Sequence, residues 1–91
     1  MQTEMTPYFQ KQLRELPKPI RNSIIEKMEL CDQAASLRDI LHLKDLKGKK
    51  NRRHYRIRVG SYRLGFEIIQ NVLTFQTLGL RGDFYKTYPP K

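Results

Sequence analysis

Residues 54–68, HYRIRVGSYRLGFEI, place three arginines on what reads as one face of a β-hairpin. Arg56 and Arg58 are spaced by two, and Arg63 follows across a tight turn at Gly60-Ser61. Neighbouring strands sit ~5 Å apart, and like charges set opposite one another repel. Three guanidiniums so placed require an anion, supplied by the protein or by a ligand. Glu67 is the one acidic residue on that face and cannot balance all three. Arginine holds phosphate through a bidentate fork, so a phosphodiester is the natural complement. The competing reading is a solvated polar face, which the local charge imbalance disfavours. His54 shares the face and is able to move protons near neutral pH. Past the last expected strand stand Arg81 and Tyr85, where a chain end can fold over a sheet. Tyr85 suits either base stacking or simple packing, Phe84 reads as a core cap, and Tyr88 as core or surface packing.

The charge is concentrated. The chain carries +9 formally, yet residues 1–43 hold six basic and six acidic residues. Residues 44–63 hold nine basic residues and one acid, Asp45. Besides the three arginines, Lys47, Lys49, Lys50, Arg52 and Arg53 give this segment the field of a polyanion-binding surface, for RNA or the ribosome. Two histidines and one cysteine without ligand spacing point to no metal, and no Gly-rich phosphate loop or Ser/His/Asp arrangement suggests a cofactor. His42, in an apolar stretch, reads as structural, and Cys31 as a small core residue. One cysteine forbids an intrachain disulfide, and with no signal peptide the expected location is a reducing cytoplasm. No apolar run approaches the ~18 residues of a membrane span.

The elements that must position these groups follow from periodicity. Ninety-one residues make one domain, 1–91, with one core. Thr6-Pro7 is a helix start, Thr as N-cap and Pro in the first turn, with Phe9, Leu13 and Leu16 at helical spacing. Pro17 and Pro19 end that helix and begin a second. Its apolar stripe is Ile20, Ile24, Met28 and Cys31, widened by Ile25, and it ends between Gln33 and Ser36. Gln2 to Met5 suggest a short edge strand. Residues 37–46 are ambiguous between helix and extended chain, and Gly48 to Asn51 read as loop. The period then becomes two. Tyr55, Ile57, Val59, Tyr62, Leu64, Phe66 and Ile68 form the apolar side of the hairpin. After a turn at Gln70-Asn71, Val72 to Leu78 form a third long strand with Leu73 and Phe75 in the core, and Gly79 breaks the alternation. Pro89-Pro90 stops any helix in the tail, and no C-terminal helix is expected. The fold class is therefore α+β, an N-terminal helical hairpin packed on an antiparallel meander.

The pattern LKGKKNRRHYRIRVGSYRLGFEI, followed by LRGDFYK, resembles the RelE/ParE superfamily of type II toxin-antitoxin toxins. FQKQLRELPKPIRNSI resembles the family's first helical segment. The resemblance implies a curved antiparallel sheet under a helical hairpin, the RelE-like fold. It also implies a metal-independent endoribonuclease that enters the ribosomal A site and cuts messenger RNA. There the ribose 2′-hydroxyl attacks the adjacent phosphate, leaving a 2′,3′-cyclic phosphate and a 5′-hydroxyl. By the match, Arg56, Arg58, Arg63, Arg81 and Tyr85 form the catalytic set. Arg56 and Arg63 hold the phosphate, Arg81 stands by the leaving oxygen, and Tyr85 stacks on or orients the nucleotide. RelE offers lysines where this chain has Arg56 and Arg58. Arginine stays protonated, with a pKa above ~12, so the general base is open between His54, Glu67 and Tyr85. The implied partners are the ribosome with its messenger RNA and a cognate antitoxin, through which alone DNA is contacted. A ParE-like gyrase inhibitor, a non-catalytic RNA- or DNA-binding module and a degenerate toxin are the alternatives. The first of these has no need of the arginine cluster.

Overall fold

The computed structural model describes residues 1–47 and 53–90. Strand β1 (Thr3–Met5) leads into helix α1 (Pro7–Arg14), where the Thr6 hydroxyl accepts the Phe9 N–H at 3.2 Å, the expected cap. Helix α2 (Lys18–Gln33) starts after Pro17 and ends at Ala34, within the expected interval. Strands β2 (Leu43–Asp45), β3 (His54–Val59), β4 (Tyr62–Ile69) and β5 (Val72–Leu80) follow, then helix α3 (Arg81–Thr87). The ambiguous segment thus resolves into a 3-10 turn at Leu37–Asp39 and the β2 edge strand. The loop expected at Gly48 to Asn51 lies outside the described residues.

The sheet order is β1-β5-β4-β3-β2. Strands β3 to β5 form the expected antiparallel meander, β2 extends it beyond β3, and β1 joins β5 in parallel, so the sheet is mixed. This is α+β, with both N-terminal helices on one face. Phe9, Leu13, Ile24 and Cys31 bury against Tyr55, Ile57, Leu64, Phe66, Leu73, Phe75 and Leu78. Ile25 does not widen that stripe; it is exposed.

Two details shape the second face. The alternation on β5 breaks at Gln76, earlier than the expected Gly79, because Gly65 pairs with Thr77 while Phe66 pairs with Phe75. The extra residue is a bulge, which bends the strand and lets β5 continue to Leu80. Beyond the reach of β1, the Gln12 amide takes over the pairing. It donates to the Leu78 carbonyl and accepts the Leu78 N–H, both at 3.0 Å, covering the exposed edge.

The tail is helical after all. Two turns fit before the prolines, and Tyr88, restricted by Pro89, leaves the helix at φ −125°, ψ 133°. Phe84 and Tyr88 stand one turn apart and are both buried. The residues they cover are glycines. Gly79 lies beneath Phe84, and Gly65 lies so close beneath Tyr88 that a β-carbon there would meet the ring at 2.7 Å.

Candidate active site

Register places the arginines as the hairpin pattern demanded. Arg58 lies directly opposite Arg63, and Arg56 opposite Gly65, on the face away from α1 and α2. On the other side of β3, Lys44 pairs with Arg56, adding a cation that the sequence reading had left out of the site. Among the described residues, no carboxylate forms an ion pair with Arg56, Arg58, Arg63 or Arg81. The Arg63 Nε is buried and finds no hydrogen-bond partner among the described residues. The anion that this cluster requires is therefore not a side chain described here.

Helix α3 brings the tyrosine to the cluster. Arg56 Nε donates to the Tyr85 hydroxyl at 3.1 Å, and the phenol is 41% exposed. Partial burial alone would raise the Tyr85 pKa. The hydrogen bonds and positive charges of Arg56 and Arg63 outweigh it and hold the phenol below its ordinary value. Arg81, exposed in the first turn of α3, stands four residues before Tyr85 and so on the same face of the helix.

The other candidate bases are elsewhere. His54 and Glu67 pair across the same face, as parity requires, but are only 1% and 9% exposed. Tyr88 covers them: its ring meets His54 edge-on at 5.4 Å, and its hydroxyl donates to Gln76 Oε1 at 2.7 Å. Gln76 in turn donates to Glu67 Oε1 at 2.9 Å, and His54 Nε2 lies 3.7 Å from that oxygen. Burial, and next to it the Glu67 charge, push the Tyr88 pKa upward. The second face is thus divided. One end is a closed polar layer under Tyr88, and the other is an open arginine surface.

Of the remaining basic residues, Lys47 is exposed and Arg53 lies on the helix side of the sheet. Both Arg53 Nε and Nη2 donate to the Tyr55 hydroxyl, at 3.3 and 3.0 Å, so it does not join the cluster. Lys49, Lys50 and Arg52 lie outside the described residues. His42 is the residue most misjudged from sequence. It is exposed, adopts a left-handed backbone (φ 64°) and meets both β3 arginines. Arg56 Nη1 donates to its carbonyl at 2.9 Å, and Arg58 Nη2 to its ring Nδ1 at 3.3 Å. Its apolar neighbours concealed it; the signal was its position opposite Arg58, readable only with the β2–β3 register in hand.

A mixed five-stranded sheet with two helices on one face and an unbalanced arginine cluster on the other defines a small basic α+β protein equipped to hold an anion. Comparison with known proteins gives the family. The model described as ParE toxin of type II toxin-antitoxin system, parDE, matches residues 3–83. Toxin RelE3 of Methanocaldococcus jannaschii is 38% identical over 82 residues, covering 89% of this chain and 91% of the relative. The crystal structure of a RelB-RelE antitoxin-toxin complex from Methanococcus jannaschii aligns with a TM-score of 0.74 and 34% identity, over 94% of this chain and 99% of that one. An archaeal RelE-RelB complex from Pyrococcus horikoshii OT3 shares the fold at TM-score 0.73 and 23% identity, over 89% and 94% of the two chains. The chain belongs to the RelE/ParE superfamily and is a RelE-like toxin of the type II toxin-antitoxin class. Among the described residues, no helix is long and apolar enough to cross a membrane.

Proposed function

We propose that this protein is a ribosome-dependent endoribonuclease that cuts messenger RNA by attack of a ribose 2′-hydroxyl on the adjacent phosphate. The observation that carries the reading is Tyr85, an exposed phenol hydrogen-bonded to Arg56 and lowered in pKa within the arginine cluster. In its ionised form it accepts the 2′-hydroxyl proton. The 2′-oxygen bonds to phosphorus, the bond to the 5′-oxygen breaks, and that oxygen takes a proton from solvent. Arg56, Arg58 and Arg63 hold the phosphate oxygens as charge develops, a role that requires cations fixed in advance. Arg81 stands on the same helical face as Tyr85 and stabilises the leaving oxygen. This step calls on no metal. His54 and Glu67, buried under Tyr88, support the position of α3 and do not take the proton.

A cognate antitoxin neutralises the protein. The relatives crystallised with RelB support this partner, and the open cationic face suits an acidic or amphipathic segment that folds on binding. DNA is contacted only through the joint complex, and the cytoplasm is the compartment in which ribosome and toxin meet.

The test is to add purified protein to programmed ribosomes and map messenger RNA ends by primer extension. Cuts at the A site that vanish in Tyr85→Phe and Arg81→Ala are expected. The family description carries the ParE name, so a gyrase assay belongs beside it. Intact RNA with trapped gyrase-DNA complexes would overturn the proposal in favour of gyrase inhibition. Salt-sensitive RNA binding with neither effect would leave a binding module.

A further inference from the structure

We propose that His42 is a positioning residue that holds Arg56 and Arg58 in their productive arrangement through its carbonyl and its ring Nδ1. The inference rests on the reading of the arginine face as the phosphate site. One hydrogen-bonded chain runs Tyr85–Arg56–His42–Arg58. His42 is its centre, the carbonyl taking Arg56 and the ring taking Arg58. It also accepts the Arg58 backbone N–H at 3.3 Å, so backbone and side chain of Arg58 are tied to the same residue. Its left-handed backbone (φ 64°) turns the chain into β2. Histidine, asparagine and aspartate tolerate that conformation better than most residues.

The ring's tautomer follows from its partner. Arginine only donates, so Nδ1 must offer its lone pair and Nε2 must carry the proton. Helix α2 and strands β2 and β3 each bring a cation near His42. Lys27 of α2 donates to the neighbouring Leu41 carbonyl at 2.9 Å, Lys44 stands two residues on in β2, and Arg56 and Arg58 come from β3. Tyr85 of α3 lies beyond Arg56 and accepts from its Nε.

Two variants keep the backbone and separate the ring's contribution. His42→Gly removes the ring yet tolerates positive φ. His42→Asn also tolerates it and places its amide oxygen where Nδ1 stands. In ribosome cleavage, His42→Gly is expected to lose about ten-fold or more, the scale of a charge-assisted hydrogen bond. His42→Asn should stay within about three-fold of wild type on the same scale. Side-chain 15N NMR of His42 supplies an arm independent of RNA: the Nε2–H tautomer in wild type, relaxing to a mixture in Arg58→Ala. Full activity in His42→Gly, or a tautomer indifferent to Arg58→Ala, overturns the proposal. Should wild type cut no RNA, the cleavage reading has failed, and the NMR arm alone decides whether His42 anchors Arg58.

Discussion

Replacing Gly65 by alanine should disable the protein through Tyr88. In the middle of a strand, exchanging glycine for alanine ordinarily helps, because glycine is destabilising there by roughly 0.5–1 kcal/mol. Here the new β-carbon would stand 2.7 Å from Tyr88 Cδ2 and Cε2 and 2.9 Å from Cζ. Carbon atoms pack comfortably at about 3.5–4.0 Å, so the ring must retreat by about 1 Å. It cannot do so freely, being 4% exposed, tied to Gln76 and packed on His54 and Phe84. Overpacking of this kind costs about 1–3 kcal/mol, and a domain of this size loses about 4–8 °C of melting temperature per kcal/mol. Gly65→Ala should thus melt about 5–20 °C lower. RNA cleavage should fall further than stability alone accounts for, because Tyr85 rides on the same displaced helix. Gly79→Ala is the control. Its β-carbon would meet Phe84 N, Cα and Cβ at 3.7, 3.8 and 3.9 Å, ordinary contact, so its melting temperature should match or exceed wild type. Thermal melts and primer extension on both variants, and on Gly65→Ala combined with Tyr88→Ala, make the test. Without the ring the alanine should cost little, a large non-additivity. Equal melting of Gly65→Ala and Gly79→Ala, or additive costs in the double variant, would refute the reasoning.

Tyr88→Phe keeps the ring and loses the hydroxyl bond to Gln76, at a cost of about 0.5–1.5 kcal/mol in denaturant melts. Because the folded Tyr88 pKa is raised, the unfolded chain gives up its proton first above about pH 10. Its contribution is therefore intact below that pH and lost above it, and this alkaline loss should be absent from Tyr88→Phe. The depressed Tyr85 pKa acts with opposite sign, adding stability as pH rises; Tyr85→Phe should remove the lowest phenol transition in an ultraviolet titration. Arg63→Ala should abolish toxicity while melting at or above the wild-type temperature, since it relieves the Arg58–Arg63 opposition; a large loss of stability would mark a structural role instead. Gln12→Ala strands the Leu78 N–H and carbonyl at the sheet edge, and should cost about 1–3 kcal/mol in denaturant melts without changing cleavage by the folded fraction.

Much of the fold was legible because its signals are local and periodic. The Thr6-Pro7 cap needs only neighbouring residues, and strict alternation from His54 to Ile68 sets the parity of every hairpin side chain. Parity names a face but not its cover. His54 and Glu67 lie on the face that parity assigns them but are closed off from solvent, because the residue that buries them, Tyr88, arrives from more than twenty positions away. The bulge at Gln76 was invisible for a related reason. A bulge is defined by two strands, and only the pairing of Phe66 with Phe75 reveals that one residue is extra. The short α3 defeated periodicity, since seven residues span two turns and the prolines behind it suggested a stop without indicating how much helix precedes it.

The arginine face and the glycine row beside it belong to one solution. Arg58 against Arg63, with Lys44 beside Arg56, is a repulsive arrangement that β-pairing alone does not reward. Stability must come from elsewhere on the same sheet, and it comes where the face lacks side chains. Gly65 and Gly79 open floor space on β4 and β5, and Phe84 and Tyr88 fill it with buried aromatic area. Docking α3 there has a geometric consequence. A helix anchored through positions 84 and 88 must hold position 85 to one side of that line, and that side is where Arg56 waits. The aromatic pair that offsets the repulsion therefore also delivers the phenol whose proton the arginines loosen. Weakening the anchor at Gly65 and removing the phenol at Tyr85 should converge on the same catalytic defect, one with a large loss of stability and the other with almost none.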